Sequence, residues 1–141
     1  MKNTLGFLLF FGIQFLAAQT IEGEWYTVDD RTGVEKAIIS VYKENGKLHG
    51  KLKKVLVDDA DCCVECDGAV YGTPYEGLMI FENLELNSNN EYKGKSLFDP
   101  EQCMTFKCKV WLSEDNPNEL KVRGYLAFIF RTQTWKRKRI T

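Results

Sequence analysis

The stretch that decides the fold is VEKAIISVYKENGKLHGKLKKVLV, residues 34–57. Two runs of alternating apolar and polar residues, Val34–Tyr42 and Lys47–Val57, flank a turn that contains Asn45 and Gly46. An Asn-Gly pair between two such runs is the strongest short sequence signal for a β-hairpin. Because successive side chains of a strand point to opposite faces, the second run has one apolar face. The opposite face, which carries His49, is expected to meet solvent.

The same alternation continues to the end of the chain without a sustained helical period, which predicts an all-β protein. An open meander of eight strands would leave two unpaired edges. We therefore predict a single closed antiparallel up-and-down β-barrel of about eight strands, with a two-sheet β-sandwich as the alternative. Such a barrel encloses room for side chains or for one small ligand. The predicted strands are Trp25–Val28, Val34–Tyr42, Lys47–Val57, Gly77–Leu86, Glu91–Phe98, Met104–Leu112, Leu120–Phe130 and Arg131–Ile140.

Two of these strands have especially regular apolar faces, which we expect to line the interior. In the sixth strand the face consists of Met104, Phe106, Cys108, Val110 and Leu112. In the seventh it consists of Leu120, Val122, Gly124, Leu126 and Phe128.

The first 18 residues are typical of a cleaved secretory signal peptide. Lys2 precedes the apolar run Leu5–Leu16, and the small residues Ala17 and Ala18 follow it. We expect cleavage after Ala18, with a retained N-terminal anchor as the alternative. The apolar run is shorter than a membrane-spanning helix requires, so no span is expected in the mature form. This predicts an exported protein, periplasmic or extracellular, whose residues 19–141 form one domain.

The balance of charges argues against one class of partner. Nineteen lysines and arginines face 20 aspartates and glutamates, which gives a net charge of −1. Nucleic-acid-binding domains are usually strongly basic, so nucleic acid is not expected as a partner. A small molecule or a component of the cell envelope remains possible, and charge says nothing about the oligomeric state.

Gly23-Glu24-Trp25 opens the first predicted strand, and Arg131 to Trp135 lies on the last. A Gly-x-Trp near the N-terminus resembles the signature of the lipocalin group within the calycins. In that group a basic residue from the C-terminal region stacks on this tryptophan, which closes one end of the barrel. The resemblance implies that either Arg131 or Arg137 stacks on Trp25.

A set of short blocks, spread in order over nearly the whole chain after the leader, carries a second resemblance. The blocks are Gly23-Glu24-Trp25, Asp29-Asp30, Thr32-Gly33, Asn45-Gly46-Lys47-Leu48, Gly50-Lys51, Cys63-Val64-Glu65-Cys66, Pro74, Gly77-Leu78, Asp99-Pro100-Glu101, Lys107-Cys108, Leu120–Tyr125 and Arg131–Trp135. On these blocks the chain resembles the domain-of-unknown-function family DUF2147. That family comprises secreted or periplasmic bacterial proteins, and the resemblance implies no specific activity.

Five cysteines, Cys62, Cys63, Cys66, Cys103 and Cys108, are disulfide candidates because an exported chain meets an oxidising environment. An odd number allows at most two bridges. We predict a bridge from Cys62 or Cys63 to Cys103. The second bridge would be Cys66–Cys108 or Cys63–Cys66. A zinc site or a redox-active pair is a weaker alternative, since only one C-x-x-C pair exists and no helix follows it. No metal or cofactor is therefore predicted.

The last predicted strand suggests a binding site. Arg131, Gln133 and Trp135 share one face, and a buried charge is costly unless it is paired or bound to a ligand. This predicts a polar-lined cavity for a small anionic ligand, to which Trp25 and Arg123 are added as candidate ligand-binding residues. Alternatively, the strand is a half-exposed edge. Arg123 is also expected to pair with Asp99 or Glu101 on a neighbouring strand.

These observations favour an exported, non-catalytic barrel that binds a small molecule or an envelope component. A structural or interaction module of the envelope, with its interior filled by side chains, is the alternative. An enzyme has the least support, because the single histidine, His49, has no nucleophile motif near it. No catalytic residue is therefore predicted.

Overall fold

A computed structural model of the protein describes Gly6, residues 20–57 and residues 63–139. The predicted signal peptide therefore lies outside the described residues, apart from Gly6. Across the segments 20–57 and 63–139 we find no helix long and apolar enough to cross a bilayer. The strands are β1 Gly23–Val28, β2 Glu35–Glu44, β3 Lys47–Val55, β4 Met79–Leu86, β5 Tyr92–Asp99, β6 Met104–Leu112, β7 Glu119–Leu126 and β8 Ile129–Arg137.

Every strand pairs antiparallel with its neighbour in sequence, and β1 also pairs with β8, so the sheet closes into a barrel. The predicted eight-stranded up-and-down barrel is confirmed, and the β-sandwich alternative is wrong. The hairpin between β2 and β3 forms as predicted. Asn45 and Gly46 have φ angles of 53° and 75°, which lie in the left-handed region that a type I′ turn requires at both positions.

The barrel has two unlike ends. We call the end that carries the turns after β2, β4 and β6 the closed end, and the end that carries the loops after β1, β3, β5 and β7 the mouth. Large apolar side chains fill the closed end, and glycines make room for them. A Cβ atom on Gly50 would lie 2.6 Å from the ring of Phe81, and one on Gly94 would lie 2.4 Å from a methyl group of Leu84. The core includes Trp25, Ile39, Val41, Leu48, Leu52, Phe81, Leu84, Val110, Leu120, Val122 and Trp135.

The seam between β4 and β5 is short. These strands pair at only two positions, Glu85 with Lys93 and Leu86 with Tyr92. Toward the mouth, the Ser96 side chain takes the place of backbone hydrogen bonds between β4 and β5. Its hydroxyl accepts a hydrogen bond from the Glu82 N–H (3.0 Å) and donates one to the Glu82 carbonyl (2.6 Å). The wall therefore opens there into a lateral cleft of about 720 Å³.

The boundary between the last two strands differs from the prediction. The predicted seventh strand, Leu120–Phe130, in fact ends at Leu126, and β8 begins at Ile129 after the two-residue turn Ala127-Phe128. Ala127 has a φ of 53°. Leu126, predicted to face the interior, does line the cavity at its open end although it is largely exposed. Phe128 was predicted to face the interior too, but it lies in the turn and is exposed to 92%. The turn was missed because residues 125–130 include none of the Gly, Asn, Asp or Pro residues that usually mark one.

His49 is also placed differently from the prediction. It lies on the outer face of β3, but it is buried rather than open to solvent. Its ring stacks on that of Tyr42, its partner on β2, at 5.3 Å between centroids. Its Nδ1 accepts a hydrogen bond from the backbone N–H of Asn83 at 3.4 Å. His49 is thus part of the packing on the barrel wall.

Candidate ligand-binding site

An open-ended cavity of about 1020 Å³ extends from the mouth into the barrel. Three of the five predicted ligand-binding residues, Arg131, Gln133 and Trp135, line it. They alternate along β8, so their side chains point to the same side of the strand. The deeper wall is mainly apolar and includes Ile39, Leu52, Ile80, Leu97, Phe106 and Val122.

The deepest polar groups of the cavity belong to Gln133 and Trp135. The indole N–H of Trp135 donates a hydrogen bond to Oε1 of Gln133 at 3.0 Å. An indole nitrogen can only donate, so the acceptor in this bond is the oxygen of the Gln133 side-chain amide. The positions of the amide oxygen and the amide nitrogen are thereby assigned. No described residue accepts a hydrogen bond from the amide nitrogen of Gln133. Two N–H donors are thus available beside the apolar inner wall of the cavity.

The rim at the mouth is charged, and its charges are largely paired. Arg131 is exposed, and its guanidinium lies 2.7 Å from the carboxylate of Asp30. The hydrogen bond that Arg131 donates to Asp30 raises the pKa of the guanidinium. Lys36 on β2 pairs with Glu101 in the turn after β5. Among the lining residues, carboxylates outnumber cations by five to three: Asp29, Asp30, Glu65, Asp99 and Glu101 against Arg31, Lys36 and Arg131.

Two aspartates hold the rim loops in shape. Oδ1 of Asp29 accepts hydrogen bonds from the backbone N–H groups of Arg31 (2.8 Å) and Thr32 (3.1 Å), and these bonds lower the pKa of Asp29. Oδ1 of Asp99 likewise accepts one from the N–H of Glu101 at 2.8 Å. Both are turn-stabilising arrangements typical of aspartate.

A disulfide bond crosses the mouth and corrects the predicted pairing. Cys66, in the long loop after β3, is bonded to Cys103, in the turn after β5. The loop is tied to this turn as predicted, but through Cys66 rather than through Cys62 or Cys63. Cys62 lies outside the described residues. The predicted Cys66–Cys108 and Cys63–Cys66 bridges are wrong, because Cys66 is already bonded to Cys103.

Cys108 does not take part in the mouth. Its side chain is buried among the core residues of the barrel, where the loop after β3 cannot reach it. Burial raises the pKa of its thiol to about 11. The bridge also takes up Cys66, a member of the C-x-x-C pair, and Cys103, so neither thiolate is available to the alternative zinc site.

Trp25 lies at the closed end and does not line the cavity. Its indole N–H donates to the carbonyl of Ile21 at 3.0 Å. The guanidinium carbon of Arg137 lies 4.3 Å from the ring centre, so the stacking residue is Arg137 and not Arg131. Arg137 also donates hydrogen bonds to the carbonyl oxygens of Thr20 and Pro117. This group therefore closes the barrel.

Arg123 points to the outside of the barrel, so it too lies away from the cavity. Its guanidinium is stacked between the rings of Trp111 at 5.0 Å and Phe130 at 4.4 Å. Its Nε donates to the hydroxyl of Thr132 at 2.7 Å. The predicted pairing with Asp99 or Glu101 is wrong, because the side chains of β7 that face outward do not reach the mouth turn after β5.

Several residues of the cavity were not predicted from the sequence. Asp30 was not among the predicted site residues, yet it pairs with Arg131 across 101 positions of sequence. Lys36 and the apolar wall on β2 and β3 were also not predicted. The inward alternation of β2, with Ala37 and Ile39 on one face, was the available signal for that wall.

Comparison with known proteins agrees with this architecture. A solved protein of the human pathogen Helicobacter pylori, HP1028, described as belonging to the lipocalin family, superposes with a TM-score of 0.69. The match covers 85% of this chain and 84% of that chain at 16% sequence identity, which shows a shared fold. No curated protein matches the sequence. Residues 23–137 match the model of the family DUF2147, described as uncharacterized proteins conserved in bacteria. The chain therefore belongs to the DUF2147 family and has a lipocalin-like barrel.

Proposed function

We propose that the protein binds a small, mainly apolar molecule inside the barrel and performs no catalysis. The observation that carries this proposal is the cavity of about 1020 Å³, which Arg131, Gln133 and Trp135 line. Small-molecule sites are typically concave, mostly apolar and furnished with a few oriented polar groups. A module whose interior was filled by side chains would lack such a space.

The polar groups indicate which kind of molecule would fit. The amide of Gln133 offers N–H donors deep in the cavity, so a ligand with a carbonyl or ether oxygen at its inner end would be held there. The excess of carboxylates at the rim disfavours a free anion. We therefore propose a neutral or cationic amphiphile rather than the anionic ligand that the sequence suggested.

The enzyme alternative has less support in the geometry. His49 lies on the outer face of the barrel, stacked on Tyr42. Cys108, the buried thiol, has a pKa raised to about 11, which disfavours the thiolate that a nucleophile requires. Export through a signal peptide remains part of the proposal, and the disulfide Cys66–Cys103 is consistent with an oxidising compartment.

Titration with the neutral fluorescent probe N-phenyl-1-naphthylamine tests the proposal. We expect saturable binding with one site per chain. Ala37→Trp, which places an indole in the cavity, should weaken binding by about tenfold or more, since losing ~1.4 kcal/mol gives that factor. Ser40→Trp, on the outer face of the same strand, is the matched control and should bind as wild type does. Equal binding by both variants, or no saturable binding by the wild type, would contradict the proposal.

A further inference from the structure

The tip of the β7–β8 hairpin is an exposed apolar surface at the mouth. Four large side chains there are mostly open to solvent, and Phe128 at the turn is exposed to 92%. These side chains add little to the packed core, and exposed contiguous apolar residues commonly mark an interaction site. We call this group the hairpin tip. Its members are Leu126, Phe128, Ile129 and Phe130.

A basic outer face adjoins the hairpin tip. Lys93 on β5 lies directly opposite Lys109 on β6, which in turn lies opposite Arg123 on β7. Like charges placed directly opposite one another destabilise a sheet. Lys95 and Lys107 add to the same face, and neither forms an ion pair with a residue in the described segments. Glu91 pairs with Lys109 at 3.7 Å and Glu85 lies opposite Lys93. Lys95 and Lys107 are therefore the two lysines of this face that a counter-charge from outside the molecule would neutralise.

Aromatic rings connect the basic face to the hairpin tip without a break. The Lys109 ammonium lies 6.0 Å from the centre of the Tyr125 ring, and that ring lies 6.1 Å from Phe130. Phe130 is covered on one side by Arg123 at 4.4 Å. Aromatic residues between an apolar end and a charged flank are characteristic of proteins that sit at a membrane–water interface.

Acidic residues are absent from this part of the sequence. From Leu120 to Arg131, the part of the chain that leads to and forms the hairpin tip, there are three lysines and arginines and no aspartate or glutamate. The carboxylates of the mouth belong mainly to the loops after β1, β3 and β5, as Asp30, Glu65 and Glu101 illustrate. The charge therefore favours an approach on the β5–β7 side of the barrel, where the basic face lies.

We infer that the protein docks on the surface of an anionic lipid bilayer, with the hairpin tip inserted among the acyl chains and the basic face against the lipid headgroups. The apolar hairpin tip matches the acyl chains of a bilayer, and the lysines of the basic face match anionic headgroups. This inference goes beyond ligand binding. It would, however, place the mouth beside a bilayer, where apolar molecules are concentrated.

Flotation with vesicles tests the inference directly. We expect the wild type to float with vesicles of phosphatidylglycerol and phosphatidylcholine, and much less with phosphatidylcholine alone. Phe128→Ser/Ile129→Ser should lower partitioning by about tenfold or more, given the apolar area removed. Lys107→Glu should lower it by about tenfold, as expected for reversing a charge near the headgroups.

Leu86→Ser is the matched control, because Leu86 is an exposed apolar residue at the closed end and should leave partitioning unchanged. Far-ultraviolet circular dichroism confirms that each variant is folded, while the lipid dependence of the wild type needs no variant. The inference is overturned if the wild type ignores phosphatidylglycerol, or if the tip variant floats like Leu86→Ser. It is also overturned if the tip variant converts a dimer into a monomer without changing flotation, since a second copy would then cover the tip.

Discussion

Arg137 and Trp25 are directly paired residues of β8 and β1, and the guanidinium carbon lies 4.3 Å from the centre of the indole ring. These two strands pair at only two positions, so little of the ladder holds the barrel closed there. The guanidinium supplies further links through hydrogen bonds to the carbonyl oxygens of Glu22 at 3.3 Å and Pro117 at 3.0 Å. One side chain thus ties β1, β8 and the turn after β6 together.

We therefore expect Arg137→Met to lower the free energy of unfolding by about 2–4 kcal/mol, through loss of the cation–π contact and of hydrogen bonds made by a charged donor. Urea denaturation measures this change. Arg139→Met, an exposed neighbour, is the control and should stay within about 0.5 kcal/mol of wild type. Equal stabilities of the two variants would show that Arg137 does not close the barrel.

Glu24 predicts a pH dependence of stability. Its carboxylate accepts hydrogen bonds from Lys53 and from Lys138, and these bonds lower its pKa below the ordinary 4.5. A carboxyl whose pKa is lower in the folded state stabilises the fold above its unfolded pKa and loses that effect as the pH falls through the folded pKa.

The stability difference between wild type and Glu24→Gln should accordingly be present near neutral pH and shrink toward zero between about pH 5 and about pH 3. Urea midpoints measured across this range test the expectation. Glu44→Gln, at the exposed β2–β3 turn, serves as the control. A difference that grew on acidification would reverse the sign and refute the assignment.

The disulfide Cys66–Cys103 should stabilise the mouth more than the closed end. It closes a loop between residues 37 positions apart, for which chain entropy gives about 4 kcal/mol. Cys66→Ser/Cys103→Ser should therefore lower the unfolding free energy by roughly 2–4 kcal/mol. Hydrogen exchange should speed up in residues 63–78 while the β2–β3 hairpin stays protected. Uniform acceleration, or none, would count against a local staple.

Cys108 should resist alkylation in the native protein. Its thiol is buried and its pKa is raised to about 11, so both access and the thiolate fraction are low near neutral pH. Iodoacetamide treatment followed by peptide mass spectrometry should find Cys108 unmodified until a denaturant is added. Rapid modification under native conditions would mean that the core around β6 opens easily.

Local sequence patterns were sufficient for the barrel but not for the contacts at its mouth. Alternation in β8 placed Arg131, Gln133 and Trp135 on one face, and the structure brings all three into the cavity. Contacts between distant parts of the chain carry no local signal, so neither the partner of Arg131 nor that of Cys103 could be read from the sequence. The β7–β8 turn was not predicted because its two residues are apolar and are not among the residue types that usually form turns.

The candidate site was therefore predicted in part. Trp25 and Arg123 were grouped with the cavity residues, yet they lie at the closed end and on the outer face. Their positions follow from how the strands are tilted and closed into a barrel, which a strand-by-strand pattern does not contain. The position of His49 was missed for a similar reason, because Tyr42 and the Asn83 backbone cover it from neighbouring strands.

The three tryptophans offer the most direct test of whether the cavity is the binding site. Trp135 lines the cavity, Trp25 lies at the closed end and Trp111 packs against Arg123 on the outer face. Their indole N–H resonances can be followed separately by nuclear magnetic resonance while N-phenyl-1-naphthylamine is added. We predict that the Trp135 resonance and the side-chain amide of Gln133 shift most, and in proportion to occupancy. A Trp135 resonance that stays unchanged at saturation, or a larger shift at Trp111, would contradict a ligand site inside the barrel.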